Sequence, residues 1–148
     1  MLKSRHRKMP AFSMSLADEA ATEALGAMLA QRLEAGDVVG LYGELGSGKT
    51  TLARGILRAA AGDPDLIVPS PTFTLVEVYE TERGTFWHFD LYRLEAPEQV
   101  YELGWEEALA EGIVLLEWPE RLGRLLPKHL SVTLELAGDD GRRAILDV

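Results

Sequence analysis

Two stretches of the chain are apolar without alternation: VVGLY over Val38–Tyr42, and IVLLEW over Ile113–Trp118, where an acid ends the apolar run. Continuous runs of this kind predict strands covered on both faces, as in the parallel centre of an α/β sheet. Elsewhere the period is helical. Leu16, Ala20, Leu25, Met28, Leu29 and Leu33 recur at helical spacing, with Ser15 and Asp18 as a capping pattern in front and Gly36 and Asp37 behind, so a first helix is predicted from Ser15. KTTLARGILRAAAG reads as a second helix with Leu52, Ile56 and Leu57 inward, stopped by Gly62, Asp63 and Pro64. APEQVYELGWEEALAEG reads as a third, with Pro97 at its start and Gly112 after it. FTLVEVYETERGTFWHFD predicts two strands around a turn containing Gly84, and HLSVTLEL, AGDDG and RRAILDV predict a strand, a turn and a strand. The expected fold class is therefore α/β, with a mostly parallel central sheet, helices on both faces and antiparallel additions.

At 148 residues the chain suits one such domain, and it contains no repeat, low-complexity tract or domain linker. The domain is expected over residues 15–148, with residues 1–14 a disordered leader. No segment approaches the ~20 apolar residues of a membrane span, so no membrane association is expected and the cytoplasm is the default location. There is no cysteine, which excludes disulfides, thiolate catalysis and Cys-based zinc sites. His6, His88 and His129 are scattered, so a metal would be held by oxygen. The net charge of −9 includes four cations in the leader, Lys3, Arg5, Arg7 and Lys8, leaving −13 on the remainder. A domain that acidic is a poor unaided ligand for a polyanion, so any nucleic acid would be held by a partner.

The chemistry concentrates between the first strand and the second helix. Gly43, Gly48, Lys49 and Thr50 fit the spacing G-x-x-x-x-G-K-[ST] of the phosphate-binding loop, Walker A, which makes the expected fold a P-loop NTPase. Four residues between the glycines form a loop wide enough to wrap a β-phosphate with inward-pointing backbone N–H groups. The candidate nucleotide-binding residues are accordingly Gly43, Glu44, Leu45, Gly46, Ser47, Gly48, Lys49, Thr50 and Thr51. Lys49 would bridge the β- and γ-phosphates, Thr50 would ligate magnesium, and the helix dipole would add about half a positive charge.

A phosphate loop needs a carboxylate to organise magnesium. Glu117, at the end of the unbroken IVLLE run, is the expected Walker B residue and, with Thr50, a metal residue. Asp90 in FWHFDLYR could orient the attacking water or bind a magnesium-bound water, or it could simply pair with Arg93. In SPTFT, Pro71 restricts the backbone and the Thr72 hydroxyl could reach the γ-phosphate, as in nucleotide-sensing switches; a rigid strand entry explains the same letters. His88 reads as a packed histidine. Trp118 reads as core or interface, or as an aromatic beside the nucleotide.

GELGSGKTT, SPTFTLVEVY, HFDLYR, LGWEE and LLEWPE, in this order and at these separations, strongly resemble the bacterial TsaE (formerly YjeE) family. The resemblance runs from about Ser15 to the C-terminus. It implies a compact P-loop ATPase, using ATP and Mg2+, that works with TsaB and TsaD in threonylcarbamoyl transfer to adenosine in the anticodon loop of certain tRNAs. It also implies functional roles for Lys49, Thr50, Asp90, Glu117 and Trp118, and a nucleotide-sensing role for Ser70 to Phe73. Contact with tRNA would run through the partners, and turnover in isolation would be slow. A small-molecule kinase is the competing reading, with Arg121 and Arg124 of PERLGRLLP as its lid, and a non-hydrolysing assembly module is a third. A regulatory GTPase lacks support, because no N-K-x-D segment is present.

Overall fold

The computed structural model describes residues 12–138 and 141–147. In chain order the elements are β1 (Phe12–Leu16), α1 (Glu19–Ala30), β2 (Val38–Tyr42), α2 (Lys49–Ala61), β3 (Val76–Thr81) and β4 (Gly84–Asp90). A 3-10 helix (Pro97–Leu103), α3 (Trp105–Glu111), β5 (Ile113–Glu117), a second 3-10 helix (Pro119–Leu125), β6 (Leu130–Ala137) and β7 (Gly141–Asp147) complete it. All seven strands form one sheet in the order β1-β7-β6-β2-β5-β4-β3.

The centre, β4-β5-β2-β6, is parallel throughout, and the three outer pairings, β3 on β4, β7 on β6 and β1 on β7, are antiparallel. The two continuous apolar runs form the adjacent central strands β2 and β5. Their alternate residues feed separate cores: Val39, Leu41, Ile113 and Leu115 pack under α1 and α2 with Leu25, Leu29, Leu52 and Ile56. Val38, Val114 and Leu116 pack on the other face with Phe89, Val100, Trp105 and Leu122. Both faces are thus covered, as a parallel centre requires.

Several expectations are corrected. The first helix begins at Glu19 with Asp18 as its N-cap, whose Oδ1 accepts from Ala21 N at 2.9 Å. Ser15 and Leu16 instead belong to strand β1, where Ser15 pairs with Arg143 and Leu16 with Arg142. The strand starts at Phe12, three residues before the expected domain boundary; the rest of the basic leader, residues 1–11, lies outside the described residues. Met28, counted in the helical period, is 53% exposed. The third helix is broken at Gly104 into a 3-10 turn and α3: Gly104 has φ 84, and a Cβ there would lie 2.8 Å from the Trp87 ring. Ring packing and a left-handed residue together prevent a continuous helix.

Helices α1 and α2 approach closely through Gly26 and Gly55. A Cβ on Gly55 would meet the Glu23 carbonyl oxygen at 2.6 Å and Glu23 Cα at 2.8 Å, both backbone atoms that cannot rotate away. Alanine gains ~1 kcal/mol in helix propensity, but overpacking of this kind costs about 1–3 kcal/mol. Gly55→Ala is therefore expected to lower stability by about 1 kcal/mol, read as an earlier urea midpoint; a midpoint at or above that of the parent chain would contradict the close approach.

Candidate functional site

The sheet register assembles the site. In the parallel centre Leu41 of β2 pairs with Glu117 of β5, and Glu117 pairs with Asp90 of β4, so all three strands end side by side. The glycine loop leaves β2 at this same edge, where the ligand crevices of open α/β sheets lie. Loop and carboxylates, far apart in sequence, meet because parallel strands share a direction.

Within the loop Gly43 has φ 145, and a Cβ there would stand 2.5 Å from Ser47 Oγ and 2.6 Å from the Leu134 carbonyl oxygen, so only glycine fits. Gly48, at φ 107, starts α2 without a side-chain cap. The first-turn amides of that helix thus have no intrahelical acceptor and offer donors and a positive dipole end at the loop.

Lys49 opens α2 and is 5% exposed. Its ammonium donates to the Gly43 carbonyl and to the Glu44 carbonyl at 3.3 Å, and it lies 3.9 Å from the centroid of the Trp118 ring. Burial lowers its pKa, opposed by the negative charges of Glu117, Glu120 and Asp90. Trp118 has φ 60 and ψ 50, a left-handed conformation that costs a non-glycine residue ~1–3 kcal/mol. The strained turn directs its indole against Lys49 and against Tyr92, at 4.9 Å between ring centroids. Residues held this way concentrate at working sites.

Thr50 Oγ1 donates to Glu117 Oε1 and Oε2 at 3.2 and 3.1 Å. Glu117 is 3% exposed, and its Oε2 also accepts from His88 Nε2 at 2.8 Å. His88 is fully buried, and its Nδ1 has no hydrogen-bond partner among the described residues. The neutral Nε2–H tautomer leaves Nδ1 as a bare acceptor, whereas a second ring proton would be a buried donor without an acceptor. His88, read from sequence as a packed residue, is packed and also holds the carboxylate.

Asp90 is 4% exposed. Its Oδ1 accepts from Tyr92 N at 3.0 Å, and its Oδ2 from Thr72 Oγ1 at 3.3 Å and Ser70 Oγ at 3.4 Å. The serine and threonine hydroxyls stand 2.9 Å apart. The SPTF segment therefore closes on Asp90. Arg93, the alternative partner from sequence, lies over the Phe73 ring at 4.7 Å instead.

A cleft of about 370 Å³ joins these groups. Leu45, Gly46, Ser47, Gly48, Lys49, Thr50 and Thr51 line one wall, and Thr72, Asp90, Glu117 and Trp118 the other. Gly43 and Glu44 line a second depression instead, with Ser47 and Thr133 to Leu136. Sequence reasoning missed Tyr92 and Arg142 and took Asp18 only as part of a cap, yet all three line the cleft. Tyr92 stands within HFDLYR, where its position beside Asp90 was a usable signal; Arg142 carries no local signature. Among the described residues no three His, Asp or Glu side chains converge as metal ligands. The oxygen pair Thr50 and Glu117 suits a hard cation that brings further oxygens with it, as a phosphate-bound magnesium does.

Comparison with known proteins identifies the family. The sequence model of the family described as threonylcarbamoyl adenosine biosynthesis protein TsaE matches residues 16–145. The chain is 44% identical over 128 residues to a tRNA threonylcarbamoyladenosine biosynthesis protein TsaE of Rickettsia felis, covering 86% of this chain and 74% of the relative. It is 41% identical over 133 residues to the protein of the same description from Nostoc sp., covering 86% and 80%. Among solved structures, the crystal structure of Bacillus subtilis YdiB superposes with a TM-score of 0.74 at 27% identity, covering 92% of this chain and 84% of that one. A glycine loop, two strand-end carboxylates and a seven-stranded mixed sheet thus coincide with a match across nearly the whole domain, and the chain belongs to the TsaE family.

Proposed function

We propose that this chain is the Mg2+-dependent ATPase of a tRNA threonylcarbamoyladenosine machinery, acting in the cytoplasm with a TsaB–TsaD-type pair that holds the tRNA. The observation that carries the reading is the convergence of Lys49, the Thr50–Glu117 contact and the buried Asp90 on one cleft at the loop. Loop amides and the start of α2 would hold the phosphates. Lys49 would exchange its carbonyl partners for phosphate oxygens, with Trp118 against its flank. Thr50 and Glu117 would hold the cation, with His88 fixing the carboxylate. Magnesium, when bound, neutralises charge developing on the transferred phosphoryl group. Asp90 would orient the attacking water, and Thr72, hydrogen-bonded to it at 3.3 Å, would report the γ-phosphate. Water then forms the new bond to the γ-phosphorus as the bond to the β-phosphate oxygen breaks, leaving ADP, phosphate and a proton.

The acidic surface supports indirect contact with tRNA. Among the described residues no helix is long and apolar enough to cross a membrane. A kinase lid finds no support: Arg121 lies against Tyr92 at 5.4 Å, Arg124 pairs with Glu98 at 3.9 Å, and neither lines the cleft. Phosphate release should be slow for the chain alone and rise at least about tenfold with the partner pair and unmodified tRNA, while small hydroxyl acceptors leave it unchanged. Multiple-turnover modification of tRNA should require this chain. Equal modification without it, or ATP-dependent phosphorylation of a small acceptor, would overturn the reading.

A further inference from the structure

Arg142 of the C-terminal hairpin hydrogen-bonds back to the phosphate loop. Arg142 Nε donates to the Ser47 carbonyl at 2.8 Å, and its Nη2 donates to the Gly46 carbonyl at 3.0 Å. Its Nη1 donates to the Gly141 carbonyl at 2.9 Å, which ties the guanidinium to its own strand. That strand is well held: β7 lies between β1 and β6, with Arg142 in register with Leu16 on one side and Leu136 on the other. A planar fork on a paired strand is a fixed point from which to grip a loop.

The grip falls where the loop most needs it. Gly46 and Gly48, at φ 79 and 107, flank Ser47. Without Cβ atoms on either side, the peptide planes around Ser47 rotate at small steric cost. In a trans peptide the carbonyl and the next N–H point in opposite directions, so holding a carbonyl fixes the amide behind it. The Gly46 carbonyl sets the Ser47 N–H, which closes the loop onto the Glu44 carbonyl at 3.0 Å. The Ser47 carbonyl sets the Gly48 N–H, for which no backbone acceptor exists among the described residues.

We infer that Arg142 is a positioning residue of the nucleotide site: it locks the peptides after Gly46 and Ser47 so that the loop is pre-formed for a nucleoside polyphosphate. The inference rests on the proposed function for the identity of the ligand, and on the geometry alone for the lock. Because the locked peptides belong to the loop itself, ADP and ATP should weaken together, unlike a change at Asp90 or Thr72.

The test compares the parent chain with Arg142→Gln and Arg142→Lys by calorimetry against ADP and ATP with magnesium, and by 15N relaxation dispersion of the Ser47 and Gly48 amides without nucleotide. Lysine keeps the charge and loses the fork, so both variants should bind ADP and ATP about tenfold or more weakly, by similar factors. Both should also show new exchange broadening at the two amides. If Arg142→Gln fails to fold, Arg142→Lys carries the test. Parent-like ADP affinity in either variant, or dispersion profiles unchanged from the parent, overturns the inference. Should the parent itself take up no nucleotide, the proposed function fails, and the dispersion profiles alone decide on the lock.

Discussion

Lys49→Ala is expected to abolish measurable nucleotide binding while leaving the domain folded. Lys49 is 5% exposed, its ammonium between two loop carbonyls and the Trp118 ring, and it is the cation that the loop itself supplies to the cleft. Asp18, Glu19, Asp90 and Glu117 line the same cleft, so its removal takes away charge-assisted bonds to phosphate and leaves the acids to repel the anion. Hydrogen bonds to charged groups contribute about 1.5–3 kcal/mol each, so losing two lowers affinity roughly 10²- to 10⁴-fold. Alanine is a good helix former, and the residue begins α2, so the helix should persist. Calorimetry on variant protein with an unchanged circular dichroism spectrum checks this; ATP affinity within threefold of the parent would remove Lys49 from the site.

Asp90→Asn should separate binding from chemistry. Asp90 is 4% exposed, and its carboxylate accepts from the Tyr92 amide and the Thr72 and Ser70 hydroxyls, all of which an asparagine can still engage once the hydroxyls rotate. Nucleotide affinity should therefore stay within a few-fold. Hydrolysis, measured with the partner pair present, should fall about 10²- to 10⁴-fold, the usual contribution of a positioned acid or base. Hydrolysis within threefold of the parent would mean that Asp90 does no more than anchor the SPTF segment.

What could be read from the sequence was what is local. The runs at Val38–Tyr42 and Ile113–Glu117 announced central strands because burial on two faces leaves no polar alternation. The candidate loop from Gly43 to Thr50 was legible because the pattern of a phosphate cradle lies in consecutive residues. Asp90 and Glu117 were legible as acids ending apolar strands, and the register then placed them side by side. What depended on distant pairing was hidden. FSMSL is mostly exposed and becomes strand β1 only by pairing with β7 at the other end of the chain, while the spacing of Ser15 and Asp18 imitates a capping motif. Similarly, nothing in RRAILDV marks Arg142 as the residue that reaches Gly46 and Ser47, and the Trp87 ring that helps Gly104 interrupt a helical period is seventeen residues away in sequence.

The central claim is that main-chain hydrogens of the loop, rather than contacts to the base, hold the nucleotide by its phosphates. The most direct measurement is calorimetric titration of the intact parent chain, in magnesium, with ATP, ADP and AMP in turn. A cradle built around the β-phosphate predicts one-to-one uptake of ATP and of ADP with at least about a hundredfold preference over AMP. AMP binding as tightly as ADP, or no uptake of either polyphosphate by well-folded protein, would contradict it.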